Sequence, residues 1–138
     1  GRIVPFHKLS QWMSYSLIEP LQLAGMKIIH LDALTGLAEY RNGGLFIDTG
    51  TISLRDETEM ETLHDPKSPL IVEWRALTIT LLDLLAEQIR QHTNTNAESM
   101  PLVSILQGGT WSAGRRIAQR LRSDAGPPLR LKSRGTIF

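Results

Sequence analysis

Three short stretches carry residues whose types and spacing could do chemistry. In TGLAEYRNGGL (35–45), Glu39, Tyr40 and Arg41 stand in consecutive positions just before a glycine pair. A carboxylate so placed could stabilise cationic charge at a sugar carbon, or take a proton from attacking water. The same residues also fit a charged helix end closed by glycine. In PFHKLSQWMSY (5–15), Lys8, Gln11 and Tyr15 share one polar helical face beside Trp12. A lysine among aromatics can be directed, partly desolvated, into a pocket, or it can lie along the surface with its ammonium in water. In QGGTWSAGRR (107–116), glycines lead into a helix whose first-turn amides could bind an anion, with Arg115 or Arg116 closing on it. The alternative is that Gly108 caps one helix and Thr110 the next.

Other chemistries find no support in the residue pattern. The four histidines, His7, His30, His64 and His92, are scattered, with no pair at the three-to-five spacing of metal ligands. His64-Asp65 reads as a surface dipeptide. The absence of cysteine removes disulfides, thiolate zinc sites and thiol catalysis, and fits a reducing, cytoplasmic setting. No phosphate-binding loop, dinucleotide fingerprint or nucleophile elbow is present. Neither metal nor cofactor is expected.

The frame that must hold these residues is a single domain of 138 residues, long enough to bury a core without disulfides. A net charge of +1 gives no reason to expect nucleic acid or an anionic membrane as partner. No run of apolar residues is long enough to span a bilayer. The chain starts directly in sequence that looks built for packing, and reads as the C-terminal part of a longer protein, packed against a preceding region.

Hydrophobic periodicity predicts a mainly α architecture with short extended segments. Phe6, Leu9, Met13, Leu17 and Leu21 mark a helix over Phe6–Leu23, with Pro5 in its first turn, Pro20 kinking or ending it and Gly25 as a stop. MKIIHL (26–31) suggests a strand or buried connector, and Asp32 the N-cap of a short helix. Asn42-Gly43-Gly44 should break the chain, leaving LFIDTG extended or turn-rich. Asp56–Pro69 reads as a surface loop with a short helix. The clearest element is a helix over Leu70–His92, with Ile71, Trp74, Leu77, Thr78, Leu81, Leu82, Leu85 and Ile89 on one face and Ser68 capping its start. A polar connector, HTNTNAESMP, follows. Met100–Gln107 is a short helix or strand halted by Gly108-Gly109, and Thr110–Arg122 a basic amphipathic helix with Trp111 inward. The tail PPLRLKSRGTIF alternates and reads as an edge strand or an extended tail.

Taken in order, PFHKLSQW, LTGLAEYRNGGL, LIVEWRALT, LQGGTWSAGRRIA and GPPLRLKSRGTIF resemble the C-terminal region of a fungal and bacterial uracil-catabolism family, long described only as a domain of unknown function. The resemblance runs over essentially the whole chain. It implies a route in which uracil becomes a nucleotide, its ring is opened, and a ribosyl-urea compound lies on the way to urea. A second resemblance is to the queuosine-salvage glycosidases, whose fold is like that of the helical DNA glycosylases. Their FYK…Q helix and LTxxADYR stretch are similar to PFHKLSQ and LTGLAEYR here, with Lys8 and Glu39 at the matching positions. Glu39 stands where that family has Asp, and Asn42-Gly43-Gly44 replaces a proline-containing continuation.

Together the two resemblances imply an N-glycosidase that releases urea, or a urea derivative, from a ribosyl-urea substrate. Glu39 would stabilise the oxocarbenium-like state and activate water, with Lys8 orienting it or touching the sugar. Tyr40 and Arg41 would hold the ligand, and Gly108, Gly109, Thr110 and Arg115 would take a 5′-phosphate. Two other readings stand beside it: an amidohydrolase-like step on the urea group, and a non-enzymatic scaffold for other pathway enzymes. A catalytic Glu39 should sit in a concave pocket, with its pKa raised or strongly coupled. A scaffold would leave it solvated and expose a broad apolar patch around Trp12 or Trp111.

Overall fold

The computed structural model describes residues 7–132, and these form a mainly helical domain. Pro5, Phe6 and the SRGTIF end of the tail, used in the sequence reading, lie outside the described residues. Helix α1 spans Lys8–Leu23 and begins at His7, whose ring nitrogen accepts the Ser10 amide hydrogen. Pro20 lies inside α1 rather than ending it. The helix stops where Gly25 takes a positive φ of 81° that other residues resist.

The stripe expected to bury α1 does the opposite. Leu9, Trp12, Met13 and Leu17 are all exposed, and no residue of α1 is fully buried. The face turned toward the domain carries Gln11, Tyr15 and Ile18 instead. The MKIIHL segment is neither strand nor buried, for Met26 and Ile29 face solvent. Asp32 caps nothing: it lies within a single 3-10 turn, Leu31–Ala33, entered through His30 in the left-handed region.

Helix α2, Tyr40–Asp48, is the centre of the molecule, with six of its nine residues buried. The sequence reading placed a break and an extended segment here, because Gly43 and Gly44 each disfavour a helix by about 1 kcal/mol. Tertiary packing overrides that preference. Gly43 lies against the Trp74 indole and Thr78 hydroxyl, where a Cβ would sit within 3.0 Å of both. Its carbonyl accepts the Trp74 indole N–H at 3.0 Å.

Helix α3, Pro69–Thr93, appears where its periodicity placed it, with Ile71, Trp74, Thr78 and Leu82 buried. Leu77 is an exception on that face and is exposed. Ser68 starts the helix but makes no capping hydrogen bond through its side chain. Before α3, a 3-10 turn, Glu57–Met60, precedes the two-residue strand β1, Leu63–His64. His64 is buried, not a surface residue, and donates its Nε2–H to the Glu59 carbonyl at 2.7 Å. Strand β1 pairs in parallel with β2, Arg130–Leu131, so the alternating tail does form an edge, with Leu129 wholly buried beside it.

The remaining helices run on without the expected stop. Helix α4, Leu102–Ser104, passes through a π-helical stretch, Ile105–Thr110, straight into α5, Trp111–Leu121. The core forms two clusters that meet on α2. One joins Ala38, Ile47, Ile71, Trp74, Ile79 and Leu129, and the other Leu37, Phe46, Leu82 and Leu106. Helix α5 lies across α2 because Gly114 faces the Arg41 carbonyl oxygen so closely that any Cβ there would overlap it. The C-terminal ends are tied by Arg122, whose guanidinium donates to both Asp48 carboxylate oxygens at 2.7 and 2.5 Å.

Candidate active site around Glu39

Glu39 stands at the N-cap of α2, in extended conformation, with its Oε1 accepting the Asn42 amide hydrogen at 2.6 Å. It therefore opens a helix, where one alternative from sequence had it closing one. Glutamate is not among the favoured capping residues, and its longer side chain must fold back to reach the amide. Glu39 is only 4% exposed. Its Oε2 faces the Arg41 guanidinium at 4.0 Å.

Lys8 comes to this carboxylate from the first position of α1. The two groups shift in an instructive way. Burial pushes the Glu39 carboxyl above the ordinary value, against the pull of the Asn42 and Arg41 amides and the charges of Arg41 and Lys8. Burial also lowers the Lys8 ammonium, with Glu39 opposing and Arg41 and Arg75 adding to the fall. A pair governed by mutual attraction would shift the other way on both sides. Desolvation therefore outweighs the attraction, and both groups are held less willing to ionise.

Arg41 in turn lies against two aromatic rings. The Arg41 guanidinium carbon lies 4.5 Å from the Tyr40 ring centre and 5.1 Å from that of Trp111. Arg115 reaches the same indole at 5.9 Å. Lys8, Glu39, Tyr40, Arg41 and Arg115, all nominated from sequence, thus converge on one region. Arg75, Asn42 and Trp111 join them and were not nominated. Asn42 is wholly buried, donating to the Leu37 carbonyl at 3.3 Å and accepting from the Thr110 hydroxyl at 2.8 Å.

The proposed anion cradle at Gly108, Gly109 and Thr110 takes another form. These residues sit in the π-helical stretch, continuous with the helices on both sides, and Thr110 has helical angles. No helix begins there, so the free first-turn amides that would bind a phosphate are not formed. The Thr110 side chain is committed to Asn42. The wide turn places Thr110 inward and leaves Gly108 on the surface.

A cleft of about 660 Å³ opens between α1 and α3. Its lining includes Gln11, Tyr15, Thr35, Asp83 and Arg90, but not Glu39. Burial raises the Asp83 carboxyl, with the Arg90 charge opposing. The Tyr15 hydroxyl donates to the Thr35 carbonyl at 2.8 Å, and burial pushes its pKa up to about 12. Gln11 Oε1 is buried without a hydrogen-bond partner. Gln11, on the cleft wall, lies one helical turn from Lys8 on α1.

Among the described residues, no three His, Cys, Asp or Glu side chains gather to hold a metal ion. No helix among them is long and apolar enough to cross a membrane.

Comparison with known proteins sets this arrangement in a family. The chain is 46% identical over 99% of its length to "Protein urg3" of Schizosaccharomyces pombe, covering 35% of that protein. It is 42% identical, again over 99% of its length, to "Uracil catabolism protein 4" of Lachancea kluyveri, covering 34% of it. The chain therefore spans about a third of these relatives, and the matched portion is their C-terminal part. No solved structure matches it. Residues 1–138 match throughout a family described as "Protein of unknown function (DUF1688)", and the chain belongs to that family.

Proposed function

We propose that the chain is part of a uracil-catabolism protein that hydrolyses the N-glycosidic bond of a ribosyl-urea substrate. One relative is named for uracil catabolism, which supports the pathway. The observation that carries the chemistry is Glu39, a buried carboxylate fixed by the Asn42 amide and facing Arg41. Titratable groups that burial and neighbouring charge displace in this way concentrate at functional sites. The helical frame is in keeping with a kinship to the helical glycosylases.

In this reading the bond between ribose C1 and the urea nitrogen lengthens, and positive charge develops on the sugar. Ionised Glu39 stabilises that charge and accepts a proton from the water that adds to C1. The proton ends on the departing nitrogen, so the products are ribose and urea. Arg41 and Lys8 favour the ionised carboxylate and offset part of the effect of burial. The cleft under α1 receives the substrate, and Gln11 Oε1 accepts a ureido N–H that water would otherwise satisfy. Arg115, exposed beside Trp111, is the cation for a 5′-phosphate, in place of the glycine turn.

The test is where oxygen from labelled water arrives. Turnover of ribosylurea or its 5′-phosphate by the full-length protein in H₂¹⁸O should label ribose C1. Label in the carbonyl product instead would show amidohydrolysis. No turnover of either compound would remove this substrate assignment and move the scaffold and amidohydrolase readings ahead of it.

A further inference from the structure

Helix α1 is built inside out relative to the described domain. Its sixteen residues carry only Lys8 and Glu19 as charges, too few for a helix solvated on one side. Leu9, Trp12, Met13 and Leu17 form one stripe at three- and four-residue steps, and are 47–60% exposed. Met26 and Ile29, in the segment after the helix, are also exposed, at 53% and 63%. Contiguous apolar surface of this kind marks a place where another protein surface packs. The domain-facing side, by contrast, carries Gln11 and Tyr15 and lines an open cleft.

The relatives indicate what covers it. They are about three times as long as this chain, which matches their C-terminal part. Their additional residues therefore precede the segment equivalent to α1, and a covering surface from that region would be tethered a few residues from the stripe. Tethering makes such docking far more favourable than capture of a separate partner. We propose that the α1 stripe Leu9, Trp12, Met13 and Leu17 is the seat of the preceding region of the same polypeptide. Helix α1 is then an internal layer, with one polar face toward the cleft and one apolar face toward that region. This holds whatever reaction the cleft serves.

The test is photo-cross-linking in the full-length protein with benzoylphenylalanine at position 13. The expected result is a cross-link within one chain, mapping by mass spectrometry to residues preceding residue 1 of this sequence. A covalent dimer would show that a second copy occupies the stripe, and a cross-link to another protein that a separate partner does. Either result, a cross-link confined to residues 1–138, or none above that of an exposed control position, overturns the proposal. So does a gene product with no preceding region. As a second measurement, Trp12→Asp with Leu17→Asp should release the preceding region to limited proteolysis, while benzoylphenylalanine at 13 in the unsubstituted background keeps the question answerable if that variant fails to fold.

Discussion

The Thr110 hydroxyl donates to Asn42 Oδ1 at 2.8 Å across sixty-eight positions of sequence, with both side chains buried. This bond joins the π-helical turn to α2 at Asn42, the same residue whose backbone amide donates to Glu39. Thr110→Val keeps the shape and leaves Asn42 Oδ1 without its partner. The expected cost is about 1–3 kcal/mol, the range for an orphaned buried polar atom. Guanidinium denaturation checks it, and a cycle with Asn42→Ala should show the two losses to be coupled rather than additive.

Gly114→Ala tests the approach of α5 to α2. A Cβ there meets the Arg41 carbonyl oxygen, which belongs to the backbone and cannot rotate away. Overpacking of this sort costs about 1–3 kcal/mol, and the helices must separate. Because Trp111 and Arg115 ride on α5, the expected signature is a fall in both melting temperature and activity. Change in Trp fluorescence should accompany it.

Asp48→Asn breaks the paired hydrogen bonds from Arg122. The carboxylate is 4% exposed and the guanidinium 25%, so the pair is little screened. Neighbouring Asp48 raises the Arg122 pKa further, by hydrogen bonding first and charge second. A loss of about 1.5–3 kcal/mol is expected, with activity per folded molecule retained because the pair lies at the far end of α2 from Glu39. Thermal melts together with turnover measured well below the melting temperature separate the two effects.

Glu39 gives stability a definite pH dependence. Its folded pKa is raised, chiefly by burial, so the native state holds the proton more tightly than the unfolded chain. Between the ordinary carboxylate value and the raised one, the native state binds more protons, and stability falls as pH rises through that window. Glu39→Gln removes the charge while keeping an oxygen for the Asn42 amide. The variant should therefore gain stability over the native protein as pH rises from acid to neutral, and the difference should vanish toward low pH. Melting temperatures of the two proteins across pH 4–8 would show it, on the order of the usual carboxylate titration range.

How much of this was legible depended on whether local pattern and tertiary packing agreed. Helix α3 could be read almost to the residue, since its apolar face is long and the core uses it. The periodicity of α1 was equally legible, but a stripe says only that something packs there, not that the described domain does. The glycine pairs misled in both places. Gly43 stays helical because Trp74 and Thr78 need its missing side chain, a reason located more than thirty residues away. Gly108 and Gly109 are carried through a wide turn that no local rule signals. Glu39, Lys8 and Arg41 were visible through resemblance, whereas Asn42, Arg75 and Trp111 enter only by folding. Asn42 sat in the glycine motif, and its amide side chain there was the one available hint.

The central claim is that Glu39 performs the chemistry rather than merely capping α2. The most direct measurement is urea release from ribosylurea and its 5′-phosphate by the full-length protein and its Glu39→Gln variant, under single-turnover conditions. The variant retains a capping oxygen, so circular dichroism should remain native while urea release falls by about 10²–10⁴-fold, the range for loss of a catalytic acid or base. Release undiminished in a natively folded variant would contradict the claim and leave Glu39 a structural cap.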